Sequence, residues 1–339
     1  MTGAPFRLTG SRMAAGLTML VVVVAAAAAT GLIFGATRLD LGAAGTAGDS
    51  ARLILTHVRL PRVLLAALVG GALSAAGAAL QPMLRNPLAS PDIIGVSGGA
   101  ALAAVASMAF LPWLLHPAAV PLVAFGGAAA SSALVYRLSL VRGRLDPYSQ
   151  ILVGVIFNTF AAALIMLINS LVDVTRAQSI VFWLMGGIAI HSYSVIALVA
   201  LLVGLGCALL VAEAPRLNLL VLGDRDAERL GVDLERTRRR VFTASSLIVG
   251  AVVALTGVIT FVGLIVPHML RRLLGADNRL LVPAAFLGGA AFLVLCDTAA
   301  RSLFAPTELP VGALTAMTGG PYFVYLLRRR PPEESRWSG

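Results

Sequence analysis

Ten apolar runs follow one another along this 339-residue chain, and they constrain its fold more than any other feature. A helix that crosses a bilayer needs about 20 apolar residues, and nine of the runs are long enough to cross. Within lipid, the backbone polar groups of such a run must be satisfied inside the segment. We therefore predict an all-α integral membrane protein with ten transmembrane helices, forming a single transmembrane domain over residues 1–339. The predicted spans lie at about 14–35, 63–82, 93–112, 118–140, 151–172, 189–212, 241–262, 262–276, 283–304 and 311–327.

The composition excludes a soluble fold and several kinds of chemistry. Hydrophobic residues make up 58% of the chain and charged residues only 12%, whereas soluble domains have about 45–50% apolar and about 25% charged residues. All 26 basic residues are arginines, because the sequence contains no lysine. Without lysine, the chain can form neither a Walker A loop nor a Schiff base. Any ATP that drives this protein must therefore be hydrolysed by a separate polypeptide.

The sequence shows no pattern of catalytic or metal-binding residues. Cys207 and Cys296 lie far apart in apolar stretches, so we interpret them as buried thiols. His, Cys and carboxylate residues do not cluster at the spacings of metal ligands. We predict a protein that is not an enzyme and that binds no metal or cofactor.

The arginines are distributed unevenly between the two sides of the predicted membrane. With the N-terminus inside and ten crossings, 20 arginines fall on the inner side and 6 on the outer side. The positive-inside rule therefore places both termini in the cytoplasm, and we expect the net charge of +10 to face lipid head groups rather than nucleic acid. A signal peptide is the alternative for the N-terminus, but its first apolar run of about 22 residues exceeds a typical signal core. The outer arginines are Arg38, Arg52, Arg59, Arg62, Arg176 and Arg301.

Two segments differ from ordinary packed spans. The stretch 85–100 places Asn86, Pro87 and Asp92 between two apolar runs, where a surface turn and a loop lining a pathway both remain open. The segment 257–275 carries Pro267, which forces a kink or a helix end. It also carries His268, which we interpret as an anchor at the inner boundary, with a proton carrier as the alternative.

The longest inner connection, residues 213–240, is the only sizeable polar stretch. It contains two short amphipathic pieces, at 217–222 and at 226–230, and Gly231 ends the second. A solvated loop would not need leucines at these positions. We expect short helices under the membrane that dock into a cytosolic partner. The leucines on which this rests are Leu219, Leu220, Leu222 and Leu230.

Three of the outer arginines lie at predicted helix ends. Arg59 and Arg62 flank Pro61, and Arg301 follows Asp297 at the four-residue spacing of a helical ion pair. An ion pair within the chain is one explanation for Arg301. The alternative is that these outward-facing positive charges bind a soluble partner that bears acidic residues.

Several spaced motifs resemble the FecCD family, the permease subunits of ABC importers for iron siderophores, haem and cobalamin. The similarity covers about residues 15–330. Residues 260–268 also match, with Thr260 where the family usually has Gly. The other motifs are RLPR at 59–62, the Gly-rich helix leading to Gln81, NPLA at 86–89, GVSGGA at 95–100, FWLMGG at 182–187, LGDRDAERLG at 222–231 and ELPVGALTAMTGGP at 308–321.

This resemblance implies roles for individual residues. Arg59, Arg62 and Arg301 fall where the family's outer arginines pair with glutamates of a soluble or lipid-anchored binding protein. Asn86 and Leu88 match an inner gate loop. Pro147 and Tyr148 fall near a second gate position, although the residues differ from the small polar ones of the cobalamin permease. The residues 213–240 would form the coupling helices that contact the ATPase, through Leu219, Leu220, Leu222, Ala227, Leu230 and Gly231.

The resemblance also implies the mechanism and the partners. A type II ABC importer permease in the inner membrane would pair with a second copy or a paralogue and with an ABC ATPase dimer, which uses ATP and Mg. Closure of the ATPase would drive alternating access. Ferric siderophores are the expected cargo, with haem or cobalamin as alternatives. An ion-gradient-driven secondary transporter is the competing class, but such proteins need ionisable residues within their spans.

Overall fold

A computed structural model describes residues 10–35, 51–111 and 119–328 of the chain. Over these residues it contains twelve α-helices and one two-stranded hairpin. The helices are α1 Gly10–Ile33, α2 Leu60–Met83, α3 Val96–Phe110, α4 Ala119–Leu138, α5 Pro147–Leu171, α6 Val174–Leu184, α7 Tyr193–Leu220, α8 Asp224–Arg229, α9 Leu234–Thr256, α10 Val262–Leu274, α11 Asn278–Ser302 and α12 Val311–Arg328.

Short elements connect several of these helices. A π-helical stretch, Ile54–Arg59, leads directly into α2, and a 3-10 turn, Pro91–Ile94, precedes α3. Strands β1 Leu140–Val141 and β2 Arg144–Leu145 pair antiparallel between α4 and α5. Five of the arginines counted above, at positions 7, 38, 329, 330 and 336, lie outside the described residues. The predicted span ends at 112 and 118 also lie outside them.

Each of the ten predicted spans coincides with a helix, and the all-α membrane fold is confirmed. Within the described residues, seven helical segments are long and apolar enough to cross a membrane: α1, α4, α5, α7, α9, α11 and the continuous helix Ala51–Met83 that contains α2. The count of ten crossings therefore stays a prediction. Helix α6 was not predicted, because its sequence mixes polar and apolar residues.

The centre of the molecule is built on α2, in which 20 of 24 residues are buried. It packs against α7, α9, α10 and α11. Gly70 lies against the backbone of Gly289, and Gly77 lies against the carbonyl oxygen of Gly263. A side chain at any of these contacts would collide with main chain. Small residues therefore let the helix backbones approach closely, as they commonly do in membrane proteins.

Other small residues also lie at contacts between neighbouring helices. Ser74 of α2 packs against Gly289, and Gly99 of α3 packs against Gly127 and Ser131 of α4. Gly95 instead precedes α3 with φ of 80°, a left-handed conformation that glycine adopts without strain.

The helix does not end at Pro267, and the interruption lies six to ten residues earlier. Pro267 is inside α10, which runs through it to Leu274. The interruption is at 257–261, where Gly257 and Phe261 both have a φ of 68°. Pro267 lacks the N–H that would bond the carbonyl of Gly263, and that carbonyl is the one packed against Gly77. The backbone hydrogen bond that Pro267 removes is therefore the one whose acceptor carbonyl packs against Gly77 of α2.

Main-chain hydrogen bonds hold the segment 182–187 beside this break. The N–H of Gly187 donates to the carbonyl of Thr256 at 2.8 Å, and the N–H of Gly312 donates to the carbonyl of Gly186 at 3.2 Å. The segment is thus joined to the last residue of α9 and to the start of α12. Irregular backbone within a membrane protein needs partners of this kind.

Candidate functional site

The predicted functional residues lie at two ends of the molecule. We call the end with the 84–90 loop, the β-hairpin and residues 213–233 the coupling end. The opposite end, with Arg59, Arg62 and Arg301, is the arginine end. Helices α2 and α11 run between the two ends, so a change at one end is connected to the other through the tightly packed centre.

The loop after α2 carries the first pair of predicted gate residues. The side-chain oxygen of Asn86 accepts a hydrogen bond from the N–H of Leu88 at 2.9 Å, which makes an Asx turn. The N–H of Asn86 donates to the carbonyl of Gln81 at 3.0 Å. These bonds fix the loop backbone, while 38% of the Leu88 surface remains exposed.

A cavity of about 470 Å³ lies beside this loop. Its lining includes Gln81, Arg85 and Pro87 from the end of α2 and the loop, together with His268 of α10 and Asn278 of α11. Because the cavity joins the gate loop to α10 and α11, movement of the loop would change its volume.

The second pair of predicted gate residues begins α5. The carboxylate of Asp146 accepts a hydrogen bond from the N–H of Ser149 at 2.7 Å and so caps this helix. Pro147 occupies the first helical turn, where its missing N–H costs nothing. The ring of Tyr148 is turned outward, with 76% of the residue surface exposed.

The coupling segment differs in part from its prediction. The first amphipathic piece, expected at 217–222, is the last turn of the 28-residue helix α7, because Leu217 and Leu220 are buried in the core. The second piece is helix α8, and its flanking glycines Gly223 and Gly231 both have positive φ. Left-handed glycines end helices sharply, so α8 is a short and separate unit.

The six predicted coupling residues divide into two groups by burial. Leu220 and Ala227 are essentially fully buried, and Leu219 is half-buried. Leu222 and Leu230 are each 58% exposed, and Gly231 is also exposed. Among the described residues, the two leucines on either side of α8 thus stay exposed, while the buried Leu220 and Ala227 attach this part of the chain to the protein.

Asp224, the first residue of α8, joins the coupling segment to the two regions in which gate residues are predicted. Its carboxylate accepts from the guanidinium of Arg85 at 3.0 Å and from that of Arg238 at 2.7 Å. Arg85 belongs to the loop that holds Asn86. Arg238 also donates to the carbonyl of Leu145, at 3.2 Å, next to the cap of α5. We name Arg85, Asp224 and Arg238 the Asp224 junction.

A second carboxylate holds the end of α7 to the start of α9. Glu213 is 1% exposed and accepts from Arg240 at 2.7 Å and from Arg216 at 2.8 Å. The sequence argument did not single out Asp224, Arg238, Glu213 or Arg240. A signal was present in the alternating acidic and basic residues of 213–240, but it does not indicate which charges pair.

The arginine end contains an ion network that is almost enclosed. The guanidinium of Arg62 bonds both carboxylate oxygens of Asp297, at 3.0 and 3.2 Å from Nε, and contacts Glu308 at 2.9 Å. Arg301 lies 3.3 Å from the same Asp297, so the predicted pair at four-residue spacing is present. The relative exposures of Arg62, Asp297 and Arg301 are 8%, 1% and 4%.

The remaining bonds of this network fasten the end of α1. Arg59 donates to the carbonyls of Leu32 and Ile33 at 2.6 and 2.7 Å, and Arg301 donates to the carbonyl of Gly31. The last carbonyls of a helix have no partners within it, so these guanidinium groups cap α1. We name Arg59, Arg62, Asp297 and Arg301 the arginine cluster. The docking role predicted for its arginines stays a prediction, and each of them has partners within this chain.

Within the described ranges, no group of three or more His, Cys, Asp or Glu side chains could hold a metal ion. The buried carboxylates Glu213 and Asp297 are instead paired with arginines.

Comparisons with known proteins find membrane transport proteins. A family model described as the FecCD transport family matches residues 14–329. The hemin transport system permease protein HmuU of Yersinia pestis is 40% identical over 285 residues, covering 83% of this chain and 85% of that protein. The vitamin B12 import system permease protein BtuC of Vibrio cholerae is 42% identical, covering 81% and 83%.

An iron transporter and a solved structure are also similar. The Fe(3+) dicitrate transport system permease protein FecD of Escherichia coli K12 is 39% identical, covering 84% of this chain and 87% of that protein. A solved structure reported as an inward-facing conformation of a metal-chelate type ABC transporter superposes with a TM-score of 0.82 at 31% identity. It covers 94% of this chain and 100% of its own.

Proposed function

Because this chain belongs to the FecCD transport family of ABC importer permeases, we propose that it carries ferric siderophores across the inner membrane. Permeases of this class are transport subunits, and a separate ATPase supplies the energy. The observation that carries the mechanism is the Asp224 junction, because it ties a surface helix to two gate regions at once.

The transport step begins at α8. An ATPase dimer docks on the exposed apolar surface of Leu222 and Leu230 and displaces α8 when ATP closes the dimer. Asp224 passes this displacement to the loop of Asn86 and Leu88 through Arg85. It passes the same displacement to Pro147 and Tyr148 through Arg238 and the carbonyl of Leu145. Both gate regions then move together, which alternating access requires.

The cargo follows from what the relatives have in common. Hemin, vitamin B12 and ferric dicitrate, which appear in the relatives' names, are all metal chelates. A ferric siderophore belongs to the same chemical class. Haem and cobalamin are the alternative cargoes, and a second permease copy or a paralogue completes the pathway.

A soluble or lipid-anchored binding protein delivers the cargo to the arginine end. Arg59, Arg62 and Arg301 hold the ends of α1, α2 and α11 in position for this docking. The guanidinium groups keep these internal partners, and the net positive charge of this end attracts acidic side chains of the binding protein. With both termini in the cytoplasm, this end faces outward.

Transport in proteoliposomes tests the proposal. The permease, its ATPase and a binding protein are reconstituted together, and uptake of radioactive ferric siderophore, haem and cobalamin is compared. We expect uptake of the siderophore only when ATP is enclosed with the ATPase. Uptake of haem or cobalamin alone would contradict the cargo. Accumulation driven by a proton gradient, with an ATPase that cannot hydrolyse ATP, would contradict the mechanism.

A further inference from the structure

A groove between α4 and α9 is separate from the gate regions and from the arginine cluster. It encloses a cavity of about 380 Å³. Phe125, Tyr136 and Phe242 supply aromatic walls, and the small side chains of Ala129 and Ala133 leave the space between them. Exposed leucines continue the apolar surface of α4 beyond the groove, namely Leu122, Leu134 and Leu138.

Two arginines lie at one end of this groove. Arg137 is in the last turn of α4, and Arg239 is near the start of α9. Both are exposed, and no carboxylate of the described residues forms an ion pair with either. Their neighbours in sequence differ, because Arg238 and Arg240 are paired with Asp224 and Glu213.

Glu235 lies beside the groove, where it accepts a hydrogen bond from the hydroxyl of Tyr136 at 2.9 Å and one from the N–H of Leu145 at 2.9 Å. Among the described residues it forms no ion pair with Arg137 or Arg239, so the two arginines present positive charge at this end of the groove. A ligand with a negative group at this end and an apolar body along the groove would satisfy both features.

The length of the groove fits one leaflet of a bilayer. Arg137 and Phe125 line it at positions twelve residues apart on α4, which corresponds to about 18 Å along a helix. Half of the hydrocarbon core of a bilayer is about 15 Å. A chain that starts at the level of the arginines would therefore end near the bilayer centre.

We propose that this groove binds an anionic phospholipid, with its phosphate between Arg137 and Arg239 and one acyl chain along Phe125, Tyr136 and Phe242. Guanidinium groups are the preferred partners of phosphate. Basic pockets between membrane helices recognise anionic head groups in this way. Two arginines that form no ion pair among the described residues favour a head group with net negative charge over a zwitterionic one. The site concerns neither the cargo nor the ATPase.

Native mass spectrometry of the full chain in complex with its ATPase tests this site. The complex is incorporated into nanodiscs of equal parts phosphatidylglycerol and phosphatidylcholine, then extracted, and the lipids that remain bound are counted. We expect phosphatidylglycerol to be retained over phosphatidylcholine by the wild type. In the Arg137→Gln, Arg239→Gln double variant this preference should fall about tenfold.

Two further variants separate the groove from general surface charge. Arg236→Gln removes an exposed arginine of α9 that does not line the groove, and it should keep the wild-type preference. Ala129→Trp keeps both arginines but fills the groove, and it should lose the bound lipid. Unchanged retention in the double arginine variant, or in Ala129→Trp, would overturn the proposal. A preference that falls equally in Arg236→Gln would also overturn it.

Discussion

The arginine cluster and the Asp224 junction both pair arginines with an aspartate, but the cluster is buried and the junction is largely exposed. In the first, Asp297 is 1% exposed and its partners Arg62 and Arg301 are almost as deeply buried. In the second, Asp224 and Arg85 are 36% and 38% exposed, and only Arg238 is buried. Water weakens the second set of interactions and hardly reaches the first.

This difference separates a fixed attachment from a movable one. Buried charges cannot leave their partners without a large desolvation cost, so the arginine cluster holds α1, α2 and α11 together throughout transport. Exposed ion pairs contribute little to stability and can exchange partners. The Asp224 junction therefore has the properties that a moving connection between α8 and two gate regions needs.

The largest expected effect comes from breaking the buried network. Asp297→Asn leaves Arg62 and Arg301 buried without their carboxylate, and removing one partner of a buried pair costs about 3–5 kcal/mol. Thermal unfolding in detergent should shift to a clearly lower temperature, or the folded yield should fall. Glu308→Gln is the control, because Glu308 contacts the same Arg62 but is 49% exposed, and it should cost about 0–1 kcal/mol. Equal unfolding temperatures for the two variants would contradict the comparison.

The next effect concerns the surface around α8. Leu230→Glu places a charge where the ATPase is proposed to dock, and losing a buried leucine contact there should weaken docking by about 1.5–3 kcal/mol. Copurification of the ATPase should fall, while the unfolding temperature of the permease stays unchanged. Leu220→Glu is the contrasting variant, because Leu220 is 1% exposed and its substitution should unfold the protein. Normal copurification of the ATPase with Leu230→Glu would refute the docking surface.

A smaller effect is expected at the junction itself. Asp224→Asn should leave the fold and the ATPase activity nearly unchanged but reduce transport per ATP by about two- to thirtyfold, from a coupling of about 0.5–2 kcal/mol. Asp226→Asn is a matched control, because Asp226 lies on the same helix and its carboxylate forms an ion pair with Arg229 of that helix, at 3.7 Å. Transport is measured in proteoliposomes together with phosphate release. If both variants transport equally well, Asp224 does not connect α8 to the gates.

The smallest effect is a pH dependence at the coupling end. The Arg279 side chain bonds Asp277 and, with Asn218, lowers the pKa of Asp277 to about 2. A carboxylate whose pKa is lowered in the folded state stabilises the protein above its ordinary pKa near 4. That stabilisation is lost as the pH falls from about 4 to 2. The unfolding temperature should therefore decline less steeply over this range in Asp277→Asn than in the wild type, and identical slopes would contradict the assignment.

Much of the fold was accessible from the sequence. The ten apolar runs all correspond to helices, and the FecCD resemblance is confirmed by the family match over residues 14–329. The exceptions have local causes. Helix α6 is missing from the prediction because its residues are not uniformly apolar. The helix break was predicted at Pro267 instead of Gly257–Phe261, because the sequence does not show that a helix continues through this proline.

The site was predicted less completely. The sequence indicated a coupling segment, but the buried positions of Leu220 and Ala227 and the exposed positions of Leu222 and Leu230 alternate with no pattern that hydropathy reveals. The Gly-rich segment leading to Gln81 is visible in the sequence, but the contact between its Gly77 and Gly263 is not.

The sequence alone determined that this is a polytopic helical membrane protein without its own ATPase, because the length of apolar runs and the absence of lysine are properties of the chain read locally. Tertiary structure decided which charges meet. Arg62 and Asp297 are 235 positions apart, and Arg85 and Asp224 are 139 apart. Whether an arginine forms a buried or an exposed ion pair depends on which helix ends pack around it. Hydropathy along the chain carries no information about that packing.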